Sequence, residues 1–460
     1  MRCTGIRCLN SPKAEMNSPR GAACCSGART FLSALTLGRV WQRTGMSALL
    51  TRVVAGAGIT RKAGIWSELQ FLGWRNSLLR MPAEPVAAAE WTWLCSGREI
   101  FPAMLAAIDA AQGSVCLEIY TYSADSMGER FRDALVHARQ RGARVRVLVD
   151  ALGSIGLPAA FWKPLRAAGG EVRVFKPLAL DRVGIRNHRK LLVCDDRVAF
   201  VGGFNIASAY DGDGVTRGWF DLGLKTTGAL AAQLAAAFED MFESADFKHK
   251  LFMRLRKSTA KKTVLTPNEQ LLLSGPGRGR SPIKRALRGD LERANHVQIM
   301  VAYFLPTWRI RRDLMRIARR GGTVQLILAG KSDVLVSQLA GQSLYRRLLK
   351  AGVEIYEYQP QILHAKLIIA DDVVYAGSAN LDQRSLHINY ELMVRFEQQR
   401  MADQARAIFA ESLKHCRQVT REEWRKSRTV WRRFKQQWAY WLLVRIDPYM
   451  ARRQWRALPD

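Results

Sequence analysis

The chain has 460 residues, of which 48% are apolar, enough to fill the cores of two domains and too many for disorder throughout. Lys and Arg outnumber Asp and Glu by 71 to 40, a net charge of +31. Such a surplus calls for a polyanionic partner, either nucleic acid or a membrane rich in acidic lipid, and does not choose between them.

Residues 1–80 hold 12 Lys and Arg against only Glu15 and Glu68, and show no period that defines a domain. They read as a basic leader, either disordered or upstream of a natural start at Met81; a transit segment is the third option. Arg29, Arg39, Arg43, Arg52 and Arg61 break every apolar run before it is long enough to cross a bilayer. Cys3, Cys8, Cys24 and Cys25 lie in this stretch, and Cys95, Cys116, Cys194 and Cys416 are isolated beyond it. Without a paired spacing they read as thiols in a reducing compartment.

From about Trp91 the chain repeats itself. SVCLEIYTY, running through Tyr120, matches HVQIMVAYF, running through Tyr303, and the helical patterns ERFRDALVHARQRGARVRVLVD and RIRRDLMRIARRGGTVQLILAG follow in register. EVRVFKP from Glu171 then matches EIYEYQP from Glu354. Each half predicts strand, helix, strand, helix, strand, hairpin and a closing helix. The apolar runs VRVLV and VQLIL suit strands covered on both faces. The fold expected is α/β, with one α/β/α domain over 81–262 and another over 263–418, related by a pseudo-twofold axis.

Each hairpin carries the same triplet: His188, Lys190 and Asp195 in NHRKLLVCDD, and His364, Lys366 and Asp371 in LHAKLIIADD. One His-x-Lys is an ordinary strand edge; two copies with matching sequels are not. Residues i and i+2 of a strand share a face, so each His projects with its Lys. If the halves pack symmetrically, both pairs converge on one cleft at their interface. Two imidazoles flanked by two ammonium groups suit an anionic phosphodiester. Asp195 and Asp371 stand at odd offset from their histidines and should point elsewhere or occupy the following turn. Asn205 in GGFN and Asn380 in GSAN end a glycine- or serine-rich turn beside each motif. His137, His249 and His296 have no carboxylate or cysteine at ligand spacing, so no metal or other cofactor is expected.

After Arg421, the residues Trp424, Trp431, Phe434, Trp438 and Trp441 recur at helical spacing among Arg425, Lys426, Arg428, Arg432, Arg433 and Lys435. Residues 419–460 thus read as a basic, aromatic, amphipathic tail, either an interfacial helix on an anionic membrane or a helix docked on the second domain.

The two motifs make the chain resemble the phospholipase D superfamily, and within it GSANLDQRSLHINYEL, residues 377–392, resembles the bacterial cardiolipin synthases. The likeness spans about Trp91 to Cys416. It implies two duplicated phospholipase D-like domains with one shared site, and a metal-independent reaction. One histidine attacks phosphorus to form a phosphatidyl-histidine, the other protonates the leaving alcohol, and a second alcohol accepts the group. Carried over, the resemblance makes His188, Lys190, Asp195, His364, Lys366 and Asp371 the catalytic set. Asn205 and Asn380 hold phosphoryl oxygens, and Asp221 and Glu391 support the histidines, one carboxylate expected for each half. Phe220 stands where the family commonly has Arg. The resemblance is to the shorter class without N-terminal membrane helices, so the expected location is peripheral, on the cytoplasmic face of a bacterial inner membrane.

Three activities fit: transfer of a phosphatidyl group from phosphatidylglycerol to make cardiolipin, hydrolysis by the same machinery, and cleavage of nucleic acid. No aromatic platform stands near the motifs and no nucleic-acid module is recognisable, which disfavours the third. The tail favours lipid.

Overall fold

The computed structural model describes residues 90–175, 184–245, 261–265, 269–277, 279–427 and 429–446. The leader with its four cysteines, Met81, His249, Arg428 and the last part of the tail lie outside these residues.

Among the described residues, the first half builds a seven-stranded sheet in the order β1-β7-β6-β5-β2-β3-β4. Its strands are β1 (Glu90–Leu94), β2 (Ser114–Ile119), β3 (Arg144–Asp150), β4 (Glu171–Phe175), β5 (Leu191–Cys194), β6 (Val198–Gly202) and β7 (Gly223–Thr227). β2, β3 and β4 run parallel, joined by helices, whereas β5, β6 and β7 run antiparallel. Helix α1 (Gly97–Ala110) follows Ser96, and α2 (Ser126–Gln140) starts where the Asp125 carboxylate accepts from the Met127 and Gly128 amides. The short α3 (Lys163–Ala167) precedes β4, and α4 (Ala229–Glu243) closes the half.

The second half repeats this order with a strand added at each edge. β8 (Lys262–Leu265) and β9 (Glu269–Ser274) lie beyond β15 (Glu391–Glu397) and β14 (Val373–Gly377). The sheet continues through β13 (Lys366–Ala370), β10 (His296–Val301), β11 (Thr323–Ala329) and β12 (Glu354–Tyr358) to β16 (Cys416–Gln418). Its helices are α5 (Pro282–Arg293), α6 (Trp308–Arg319), α7 (Leu335–Gln342), α8 (Tyr345–Lys350), α9 (Gln383–His387) and α10 (Gln399–Leu413). The architecture is thus the duplicated α/β fold that the repeat predicts.

Each sheet has an outer core of its own, and a third core is common to both. This shared core combines Leu191, Val193 and Leu234 of the first half with Leu367, Ile369 and Phe409 of the second. A continuous apolar interior joins the halves, so the groups at their boundary are held on rigid elements.

The tail forms two helices, α11 (Arg421–Lys426) and α12 (Val430–Trp441). A capping box of Thr420 and Glu423 starts α11 and turns Trp424 inward, where its ring lies 4.8 Å from that of Tyr345. Trp424 therefore belongs to the core and not to the exposed aromatic face on which the helical spacing had placed it. Trp431, Phe434, Trp438 and Trp441 remain exposed. No helix among the described residues is long and apolar enough to cross a membrane.

Candidate active site

His188 and Lys190 lie in an extended segment just before β5, while Lys366 opens β13 and His364 stands two residues ahead of it. Both segments are buried. Each is stitched to the other half. The His188 amide donates to the Tyr390 carbonyl (3.0 Å), and the Tyr390 amide donates to that of Arg186 (2.9 Å). Reciprocally, the His364 amide donates to the Phe220 carbonyl (2.7 Å), and the Phe220 amide to that of Ile362 (2.9 Å). Exchange of the halves maps one pairing on the other, as a pseudo-twofold axis requires.

This stitching crosses the two support systems. His188 Nδ1 meets Glu391 at 3.1–3.2 Å, and His364 Nδ1 meets Asp221 at 2.5 Å. Each histidine is thus oriented by the carboxylate of the other half, not by that of its own half. An imidazole whose Nδ1–H is held by a carboxylate presents Nε2 as its reactive atom. Both carboxylates are fully buried.

Their settings differ. Ser378 Oγ donates to Glu391 Oε2 (2.5 Å) while accepting from the Leu392 amide (3.0 Å). Gly203 takes the place of Ser378 in the first half, and a Cβ there would stand 2.1 Å from Asp221 Oδ1. The glycine therefore makes room for the shorter acid. Phe220, at the position where Arg is common, packs its ring 5.2 Å from that of Tyr358.

Lys190 Nζ donates to the His188 carbonyl (2.7 Å), and Lys366 Nζ lies 2.7 Å from His364 Nδ1 while donating to the His364 carbonyl. With Nδ1–H engaged by Asp221, the contact between Lys366 and Nδ1 is electrostatic repulsion more than a hydrogen bond. Burial, reinforced by the charge of Lys366, lowers Lys190 to about 7. Burial also lowers Lys366 to about 8 against the opposing pull of Asp221 and Glu391. Burial is the first cause that lowers both imidazoles, with lysine charges adding to it. In the protein by itself burial therefore disfavours the charged form of both imidazoles.

The first motif is embedded in a polar network that residue spacing did not reveal. Asn187 Nδ2 donates to Glu118 (2.7 Å), the Asn187 amide donates to Asp150 (2.9 Å), and Arg186 and Arg189 pair with Asp150 and Glu118 at 3.5 Å. Tyr120 lies with its ring 4.7 Å from that of His188, and Lys190 Nζ is 5.2 Å from the Tyr120 centroid. Around His364 the neighbours are the rings of Tyr210 (5.4 Å) and Trp219 (5.7 Å). The repeat carried no signal for the first of these aromatics, because in register Tyr120 matches Ala302 and Thr121 matches Tyr303. Tyr303 donates to Asp333 at 2.7 Å.

Asn205 and Asn380 are both buried, with unequal freedom. Asn205 Oδ1 accepts from the Thr121 amide (3.0 Å) and its Nδ2 donates to Tyr210 Oη (2.6 Å), which leaves one N–H. Asn380 Oδ1 has no hydrogen-bond partner.

Asp195 and Asp371 do not join this cluster. They lie past the far ends of β5 and β13, each five residue steps of extended chain, or about 16 Å, from its lysine. Both adopt left-handed backbone, with φ of 52° and 50°. Asp195 accepts from the amides of Gln112, Gly113 and Ser114 at 2.7–3.0 Å, and Asp371 from those of Asn295 and His296 at 2.8–3.1 Å. They shape the hairpin turn and clamp it to the start of β2 or β10. Their place in the catalytic set is therefore corrected to a structural one.

Among the described residues, no group of three His, Cys, Asp or Glu side chains could hold a metal ion. Cys95, Cys116, Cys194 and Cys416 are free thiols.

Residues 104–243 and 287–413 match the profile of the family described as cardiolipin synthase, PLD-like domain. The major cardiolipin synthase ClsA of Bacillus subtilis is 32% identical over 351 residues, which cover 75% of this chain and 72% of that protein. Cardiolipin synthase B of Salmonella typhimurium is 31% identical over 348 residues, 73% of this chain and 83% of that one. The crystal structure of phosphatidylserine synthase from Haemophilus influenzae superposes with a TM-score of 0.62 at 15% identity, over 78% of this chain and 94% of that chain, a likeness of fold. The duplicated motif, the sheet order and these matches agree that the chain belongs to the cardiolipin synthase family of the phospholipase D superfamily.

Proposed function

We propose that the protein is a phosphatidyltransferase that joins two phosphatidylglycerol molecules into cardiolipin and glycerol through a phosphohistidine. The observation that carries this reading is the crossed pair: two buried imidazoles, each held at Nδ1 by a carboxylate and each beside a buried lysine. His188 Nε2 attacks phosphorus as the bond to the glycerol oxygen breaks, and His364 Nε2 supplies the proton that the leaving oxygen takes. A hydroxyl of the second lipid then gives its proton to His364 and displaces His188 from phosphorus. Both histidines end as they began.

Because burial and the lysine charges disfavour an imidazolium in the protein by itself, the proton on His364 is acquired with the substrate. The negative charge of a phosphodiester offsets the two ammonium groups and stabilises an imidazolium. Lys190 and Lys366, with amide donors from Asn205 and Asn380, face the charge that develops on phosphorus. Each such donor contributes about 3 kcal/mol, by analogy with oxyanion-hole groups. The substrate is reached from an anionic membrane to which the protein binds peripherally on the cytoplasmic side.

Purified protein incubated with labelled phosphatidylglycerol is expected to yield cardiolipin and glycerol. Phosphatidic acid as the sole product would replace transfer by hydrolysis, and no lipid turnover alongside cleavage of DNA would overturn the lipid reading.

Turnover is expected to be unchanged by EDTA, because the lysines supply the positive charge that a metal would otherwise bring. Full loss, restored by zinc or magnesium, would contradict this.

The lysines also define a pH dependence. If both must be charged to bind phosphate, kcat/KM falls as pH rises through about 7 to 8. Stability moves the other way. Between these lowered values and the ordinary lysine value of 10.5, the unfolded chain binds more protons than the folded one, so the contribution of these lysines to stability rises with pH. A pH profile of kcat/KM set beside thermal melts of the protein alone checks both signs.

A further inference from the structure

Helix α12 is attached to the second half by one face and carries its large aromatic side chains on the opposite one. Gln436 and Ala439 are buried against α7, with Gln436 Nε2 3.4 Å from Gln342 Oε1 and Arg311 Nη1 3.4 Å from Tyr440 Oη. Trp431, Phe434, Trp438 and Trp441 follow a 3-4-3 spacing that puts them on the side away from α7, and they are 50–63% exposed. At about 200 Å² per ring residue, the four leave roughly 400 Å² of aromatic surface in water, the size of patch that marks an interaction site. Arg433 and Lys435, both exposed, flank it, with Lys435 Nζ 5.4 Å from the Trp431 centroid, whereas Arg432 turns inward onto the Trp424 ring and Gln342.

This surface leads to the catalytic cleft. Leu335, 63% exposed, begins α7, the helix under α12, and it comes two residues after Asp333, the acceptor of the Tyr303 hydroxyl. Across the pseudo-twofold axis the loop after β3 does the same. Ile155, 69% exposed, follows Ser154, whose Oγ donates to the carbonyl of Tyr120, the tyrosine beside His188. Each half thus raises an exposed aliphatic side chain after β3 or β11, next to a group that reaches the site: Ser154, bonded to Tyr120 beside His188, and Asp333, whose charge acts on Lys366.

We propose that the aromatic face of α12, with Leu335 and Ile155, forms one docking face for an anionic lipid bilayer and sets the cleft against the membrane surface. The partner follows from chemistry: exposed aromatic rings, Trp431 and Phe434 stacked on each other, suit the headgroup boundary, the cations beside them suit acidic lipid, and the chain carries +31 overall. α12 is held by packing rather than swinging free, so its insertion fixes the orientation of the catalytic domains as well as their attachment. The proposal rests on the lipid reading of the site and adds which surface meets the bilayer.

The test measures binding without turnover. Full-length protein is sedimented with vesicles of phosphatidylglycerol and phosphatidylcholine, and with vesicles of phosphatidylcholine alone. Strong partition into the first and weak partition into the second is expected. Trp431→Ala, Trp438→Ala and Trp441→Ala combined should weaken partition at least about tenfold with the circular dichroism spectrum unchanged. High salt should release the parent only in part, because screening removes the cationic contribution and leaves aromatic insertion.

Ile155→Ser with Leu335→Ser should lower turnover of vesicular phosphatidylglycerol several-fold, and should leave turnover of a dispersed short-chain phosphatidylglycerol unchanged. Equal partition of parent and triple variant, or no preference for anionic vesicles, would overturn the proposal. So would a parent dimer that the triple variant renders monomeric, which would assign the face to a second copy of the chain. Equal loss on both substrates in the Ile155/Leu335 variant would remove the rim from the docking face. Because partition needs no chemistry, failure to form cardiolipin would count against the reaction and not against this surface.

Discussion

His188→Ala and His364→Ala are each expected to lose at least about 10⁴-fold in turnover, since neither nucleophilic attack nor proton transfer has a substitute once its imidazole is gone. Loss at both positions separates one shared centre from two independent ones, because in the latter case either variant would keep half the activity. Each substitution also strands a buried carboxylate, at a cost of about 1–3 kcal/mol, so His→Asn at both positions serves as the variant that keeps a donor there. Rapid alkaline quenching of the parent protein during turnover of phosphatidylglycerol labelled at phosphorus, followed by peptide mapping, should place the label on His188. Label on His364 would reverse the two roles, and near-full activity of either alanine variant would end the two-histidine mechanism.

Asp221→Asn and Glu391→Gln should each lower turnover by about 10³- to 10⁴-fold, as expected when an amide replaces the carboxylate that sets an imidazole tautomer. The informative part is the crossing. Glu391 contacts His188 and Asp221 contacts His364, so each substitution perturbs the histidine of the other half. Imidazole proton and nitrogen resonances assigned through the two His→Ala proteins should show His188 shifting with Glu391→Gln and His364 with Asp221→Asn. A shift of His188 in Asp221→Asn with no change at His364 would mean that each half supports its own histidine.

The internal repeat made much of this legible. Strand and helix periods recur with the same order in both halves, because each half must bury the same two-sided sheet under helices, and the sheet order repeats accordingly. His188, Lys190, His364 and Lys366 were recognisable because the i, i+2 spacing is itself a geometric statement about one face of an extended chain. Asp195 and Asp371 share the motif without sharing the face, and their odd offset already separated them from the histidines. Their partners, backbone amides at Gln112 to Ser114 and at Asn295 and His296, carry no side-chain signature and could not be read in advance.

The crossing of Asp221 and Glu391 had no signal in either half taken singly. It arises because the Tyr390 and Phe220 backbones bond across the boundary, which delivers the next residue of each half beneath the histidine of the other. The same holds for the tail. Its composition determined an aromatic, cationic helix, but only packing decided that Trp424 turns inward beside Tyr345 while Trp431, Phe434, Trp438 and Trp441 stay in water. Periodicity fixes which side chains share a face of one element. What that face meets depends on contacts between residues distant along the chain, which burial of the shared core selects.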